Sequence, residues 1–342
     1  MMKKSIMYKS VIALCFTLLI ASCAKKKKSN ENKEMVSSPI EQANEEPNTW
    51  AQKLGWPADK KVIMLHADDI GMCPEANTAA KTQLTEGVIQ SAAVMIPCPN
   101  AHEFISWAKE RPALDVGLHL TLTSEWQTYR WGTVSQAEQV PGLLDEHKKM
   151  WHEVPEVVQH ASAEEVEKEV RAQIEQSMAW GHKPTHIDTH MGTLYGHPSY
   201  VKVFIDIAEE YSIPANIIDI SKPEVMNEFK SQGYPLDDTV LQLVTAYTLP
   251  KLDYFTSVGS AKTYEDKIAD FKTLVQNLKP GLTEIIFHPS ELTENLKDIT
   301  NSWQQRSWEA QMFSDPDLIQ FFKDEGIIFT NWKEIMQRFE AR

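Results

Sequence analysis

Between residues 61 and 339 the chain alternates short apolar runs with longer amphipathic ones, a pattern that leaves few folds open to it. The apolar runs at 61–66, 88–96, 115–121, 185–189, 215–218, 284–287 and 327–329 have the length and composition of strands. The stretches at 74–86, 101–110, 163–180, 198–211, 264–278, 315–324 and 332–339 have the period of helices, and the first begins on Pro74, which suits a first helical turn. Strands separated by helical crossovers run parallel. About seven such units favour a (β/α) TIM-like barrel of parallel strands over an open doubly wound sheet, although the pattern by itself admits both. In either case the chemistry gathers at the C-terminal ends of the strands. The irregular stretches 123–158 and 219–262 read as loop insertions over that face.

The first residues have another character. Within 1–22, Lys3, Lys4 and Lys9 precede an apolar run from Val11 to Ala21, too short for a comfortable membrane span, which reads as a signal peptide. Its end, Leu19-Ile20-Ala21-Ser22-Cys23, resembles a bacterial lipoprotein signal, in which Cys23 becomes the acylated mature terminus. Residues 23–48, with Lys25 to Lys28 followed by Ser, Asn, Glu and Pro, form a flexible tether spanning on the order of 25–30 Å, its lysines suited to anionic headgroups. These features place a single α/β domain, 49–342, on a lipid anchor in the bacterial cell envelope, at the periplasmic or outer membrane. Removing residues 1–22 takes three lysines and no acids, so the formal charge falls from −14 to −17, which disfavours nucleic acid as a partner. Cys73 and Cys98 are too few for a disulfide framework, though one bridge is conceivable in an oxidising compartment.

Four polar clusters interrupt the apolar strands. In His66-Ala67-Asp68-Asp69-Ile70-Gly71 an apolar strand ends in two adjacent carboxylates, and Gly71 supports a turn that brings both over the strand ends. A helix cap would also explain an aspartate there. His119 lies inside the apolar run Val116–Leu120, where a satisfied core histidine is the plainer reading. His186, Asp188 and His190 fall on one strand face by period two, with His190 nearest the strand end as the better ligand and His186 and Asp188 as its support. His288, followed by the strand-stopping Pro289, stands where a general acid belongs. Together the clusters offer one carboxylate and two imidazoles from three strand ends, a facial set for one divalent cation, with Asp68 and His288 left as base and acid. That is the equipment for metal-assisted amide hydrolysis.

The same residues resemble the YdjC-like, or ChbG-like, carbohydrate deacetylases. An Ala-Asp-Asp-Phe-Gly motif is similar to Ala67–Gly71, with Ile70 for the aromatic, and Asn77 matches an asparagine at the family's distance. Gly117–His119, Lys183–His190 and His288-Pro289 follow in family order, so the resemblance covers about 61–329. It implies a distorted (β/α) barrel, a divalent metal such as Mg or Zn, and removal of acetate from N-acetylated sugars. By position it implies Asp68 as base, Asp69, His119 and His190 as metal ligands, and His288 as acid. Two departures bear on substrate and metal preference: His66 replaces the asparagine usual before the first motif, and the segment from Met191 to Pro198 is one residue longer than the family pattern.

Trp126 and Trp131, with Tyr129, lie in the loop after His119 and could stack on a sugar ring or simply pack the insertion. Cys73 reads as packing, because a hard oxygen and imidazole site gives a thiol no role. Two other readings remain open to the sequence: a metal-dependent phosphoesterase on the same kind of barrel, and a non-catalytic sugar-binding lipoprotein.

Overall fold

The computed structural model describes residues 48–342; the signal peptide, Cys23 and nearly all of the tether lie outside the described residues. Seven strands form one sheet: β1 (Lys61–Ile70), β2 (Ser91–Val94), β3 (Val116–Leu120), β4 (Ile187–Thr189), β5 (Tyr254–Ser257), β6 (Gly281–Phe287) and β7 (Ile328–Phe329). The order is β4-β3-β2-β1-β6-β5, with β7 on β1, and all the pairs are parallel. Strand β1 is buried along nearly its whole length, as expected of a central parallel strand covered on both faces. Isolated parallel bridges, Ile187 to Ala215 and Ile218 to Leu252, continue the curl from β4 toward the chain entering β5. The result is a curled, parallel α/β sheet of the distorted TIM-barrel kind.

Two differences from the sequence reading have local causes. Residues 215–218 make bridges rather than a strand, because the Ile217 and Ile220 amides turn back to the carbonyls of Ala215 and Ile218 at 2.7 and 2.9 Å and so leave the ladder. The strand that pairs with β6 is instead β5, inside the stretch 219–262 read as an insertion; its residues are half-buried or exposed and carry no long apolar run. The remainder of that stretch includes helices Pro223–Ser231 and Asp238–Ala246, which the sequence reading left irregular.

The helices hold to ordinary capping chemistry. Helix Ala163–Ala179, for example, is closed by the reciprocal Ser162–Glu165 box. A separate cluster of Trp50, Trp56, Trp332 and Ile335 with Val62, Met64 and Leu282 packs one end of the core. There the buried Asp253 carboxylate accepts from the amides of Trp50, Ala51 and Leu282, tying the helix Trp50–Lys53 to the start of β6.

Candidate metal centre

The two adjacent aspartates face the same side because β1 carries a bulge. Ala67 pairs with Ala92 and Ile70 with Val94, so three steps on β1 oppose two on β2. The extra residue is Asp69, whose φ of 61° lies in the left-handed region that short acids tolerate better than most side chains. The strict alternation of a strand is thereby reset, and Asp69 joins Asp68 on the face that His66 already occupies. Gly71, at φ 89°, completes the turn; a Cβ there would lie 2.9 Å from the Ala101 Cα. The Gly71 amide donates to Asn77 Oδ1 at 2.8 Å, and the Asn77 amide group donates to Asn100 O and to Glu103.

Opposite the bulge stand His119, from β3, and His190, at the start of the 3-10 turn that follows β4. Asp69 Oδ1 lies 3.2 Å from His190 Nδ1 and 3.5 Å from His119 Nε2. Those separations match the edge of a tetrahedron of oxygen and nitrogen ligands around a zinc-sized ion, about 3.3 Å. Asp69 Oδ1 is buried and has no hydrogen-bond partner. Each histidine spends its other ring nitrogen on a carboxylate: His119 Nδ1 on Asp188 Oδ1 at 2.6 Å, and His190 Nε2 on Glu125 Oε2 at 3.0 Å. Assigning the ring protons by those contacts leaves one lone pair on each imidazole directed toward Asp69, the arrangement carboxylate-supported histidine ligands adopt. Two overlapping groups, His66 with His186 and Asp188, and Asp68 with His119 and Asp188, are also close enough to share an ion. Both need Asp188, whose two oxygens already accept from His119 and His66. The donor set of Asp69, His119 and His190 therefore fits a divalent cation best.

The surroundings are dense in buried charge. Burial pushes the Asp69 carboxyl up, but the Arg306 guanidinium, 2.6 Å from Oδ2, together with His288 and His190, holds it well below the usual carboxylate range. Burial pulls His190 down, yet Glu125 and Asp69 override it and raise the imidazole to about 10. His119 is raised in the same way by Asp68 and Asp188 against the effect of burial. Deeper in, His66 Nε2 lies 2.9 Å from Asp188 and 3.1 Å from Asp68, and its Nδ1 is 3.6 Å from Glu284. Burial would lower His66, but those three acids hold it well above its ordinary value. Glu284 is pushed up to about 7, first by burial and then by Asp188 and Asp68, with His66 opposing. Carboxylates crowd this pocket, and the imidazoles are drawn toward holding protons; a bound cation answers the same charge.

The structure brings Asp68, Asp69, His119, Asp188 and His190 together, and His288 is near enough to depress Asp69. His186 is fully buried, Nδ1 3.1 Å from Asp115, edge-on to His66 and stacked on Trp332, so it braces His66 rather than His190. Two expectations of substrate contact need correction. Asn77 is buried, with both side-chain groups engaged in holding the β1 turn. Trp131 is buried against His190, with its indole nitrogen donating to Thr123 O, so it packs the loop. Trp126 remains half-buried beside Arg306, with the guanidinium carbon 5.6 Å from its ring. Cys73 and Cys98 are buried free thiols, pushed up to about 12 and well above the ordinary value respectively, chiefly by burial. Sequence reasoning missed Glu125, Arg306 and Glu284. Of these, Glu284 had a signal, a lone acid inside an apolar strand.

A curled parallel sheet with a carboxylate and two histidines converging over its strand ends defines a class of α/β proteins with a candidate metal site. The YdjC-like protein profile matches residues 62–324, and the chain belongs to that family. A carbohydrate deacetylase of Brevibacillus brevis is 28% identical over 277 residues, 80% of this chain and 99% of the relative. One of Thermoanaerobacter pseudethanolicus is 24% identical over 274 residues, covering 80% and 98%. A crystal structure of a protein from Enterococcus faecalis V583 superposes with a TM-score of 0.66 at 22% identity, over 81% of this chain and 99% of that one, and shows the same fold.

Proposed function

We propose that this protein is a metal-dependent hydrolase that removes acetyl groups from N-acetylated sugars. The observation that carries the reading is the convergence of Asp69 Oδ1, His119 Nε2 and His190 Nδ1, two contacts of 3.2 and 3.5 Å around one unpartnered oxygen. The names of the relatives, carbohydrate deacetylases matched over nearly their full length, support the sugar amide as substrate.

Asp69, His119 and His190 would hold one divalent ion, zinc or magnesium. When bound, it supplies Lewis acidity that polarises the acetamide carbonyl and lowers the pKa of water. Asp68 is the base: buried, with Oδ1 3.1 Å from His66 Nε2, it takes a proton from the water that adds to the carbonyl carbon. Collapse of the tetrahedral adduct breaks the C–N bond only if the nitrogen leaves protonated, and His288 donates that proton. The His288 amide donates to Glu309 Oε2 at 2.7 Å, which fixes the end of β6 on which the imidazole is carried. Asp188 and Glu125 fix the ring orientation of the two ligand histidines.

The test is acetate release from a panel of N-acetylated mono- and oligosaccharides, with and without a chelator. Release that stops on chelation and returns with metal is expected. Asp68→Asn should bind metal and lose turnover, whereas His119→Ala should lose metal affinity. Full activity in Asp68→Asn with intact metal content would refute the base assignment. Residues 1–23 support a lipid-anchored protein of the cell envelope. Cys23→Ala should shift it from the membrane to the soluble fraction.

A further inference from the structure

Beside the base lies a cavity of about 330 Å³ that acetate hydrolysis does not account for. Asp68 and His119 are among its lining residues. Most of its exposed wall is apolar, with Ile218, Ile220, Phe229, Leu236, Val244 and Phe255 drawn largely from the stretch after β4 that carries helices Pro223–Ser231 and Asp238–Ala246; Gln232, Tyr234 and Ser257 add polar groups to it. Neither His288 nor Arg306 nor Trp126 touches it.

We propose that this cavity receives the acyl half of the substrate, and that it admits N-acyl groups several carbons longer than acetyl. The inference rests on the amide-hydrolase reading and specifies its substrate. The two halves of an amide lie on opposite sides of the carbonyl carbon. The amine half must reach His288 to be protonated, and His288 does not line the cavity, so the acyl half is the one left to enter it beside Asp68. Size argues against acetyl alone: an apolar cavity of about 150 Å³ holds a benzene ring, and this one is more than twice as large. By area the lining is chiefly apolar, so most of a sugar ring's hydroxyls would meet carbon there, with Gln232, Tyr234 and Ser257 the polar side chains at hand. An alkyl chain meets no such penalty and gains about fourfold in affinity per buried methylene.

The experiment uses zinc-saturated protein with N-acetyl-, N-butyryl- and N-hexanoylglucosamine, and calorimetric titration with acetate, butyrate and hexanoate. KM should fall about fourfold per methylene from acetyl to butyryl, and hexanoate should bind more tightly than acetate. Val244→Trp should lower the hexanoyl-to-acetyl ratio of kcat/KM at least tenfold and erase the preference for hexanoate. Should Val244→Trp not fold, Ile220→Phe makes the same comparison, and the wild-type carboxylate series needs neither variant. Hydrolysis of N-acetyl substrate with rejection of butyryl, or equal binding of acetate and hexanoate, overturns the acyl pocket and leaves the deacetylase standing. No hydrolysis of any N-acyl sugar overturns both.

Discussion

Asp188 accepts from two histidines at once, His119 at 2.6 Å and His66 at 2.9 Å, and replacing it with asparagine tests what those contacts do. An asparagine of the same shape keeps one acceptor and turns the other oxygen into a donor. If its carbonyl faces His66, its NH₂ faces His119 Nδ1. His119 must then present a lone pair there and carry its proton on Nε2, the atom 3.5 Å from Asp69 Oδ1 that a metal would need. If the amide takes the opposite orientation, His119 keeps its tautomer but loses a charged acceptor for a neutral one. In either case the ligand is weakened through its partner. Losses from such positions run about 10–100-fold in metal affinity, or about 1.4–2.7 kcal/mol. The measurement is competition of Asp188→Asn and wild type against a chromophoric chelator for zinc, with kcat then taken at saturating metal. Turnover should recover in part when the site is filled, because Asp68 and His288 are intact. Wild-type zinc affinity in Asp188→Asn would refute the claim that Asp188 sets the His119 tautomer.

Gly71→Ala places a Cβ 2.9 Å from Ala101 Cα at a φ of 89°, and should lower the urea midpoint by the equivalent of about 1–3 kcal/mol; an unchanged midpoint would show that the bulge is compliant. Arg306→Met leaves the buried Asp69 carboxylate without the guanidinium at 2.6 Å, so the metal-free protein should lose about 3–5 kcal/mol and show a larger thermal upshift on adding zinc than wild type does. Glu284, raised from 4.5 to about 7, binds a proton in the folded chain more readily than in the unfolded one. Its contribution is therefore lost as pH rises from about 4.5 through 7, on the order of 3 kcal/mol. Glu284→Gln should flatten that part of the metal-free stability profile, and an unaltered slope between pH 5 and 7 would contradict it.

The candidate trio stood out because Asp69 and His119 interrupt apolar strands and His190 directly follows one, at strand ends where a polar side chain has few uses besides a site. The same signal was available for Glu284 within Gly281–Phe287, and for His66, whose bond to Asp188 ties the first cluster to the third. Arg306 could not be read that way. It sits on helix Trp303–Met312, in a polar stretch that resembles a solvent-facing helix, and its burial against Asp69 depends on a contact 237 residues away. Glu125 likewise reaches His190 from an irregular loop. The alternation of β1 predicted that adjacent aspartates diverge unless the strand stops at them, and it does not stop. The single extra residue of a bulge leaves no mark on period-two patterning. Strand β5 was hidden by its exposure, and residues 215–218 were misassigned because composition does not register amides turning back on their own carbonyls.

The left-handed backbone at Asp69 bears on how the site can change. Glutamate would bring the same charge, but it lacks aspartate's tolerance for that conformation and would carry its oxygens one methylene farther, into His119 and His190. In the proposed metal role, tuning toward another ion would come through the two imidazoles or the carboxylates behind them, none of which sits at a positive φ. In this fold the acid is dictated by the shape of the chain, and adaptation is left to the histidine side of the centre.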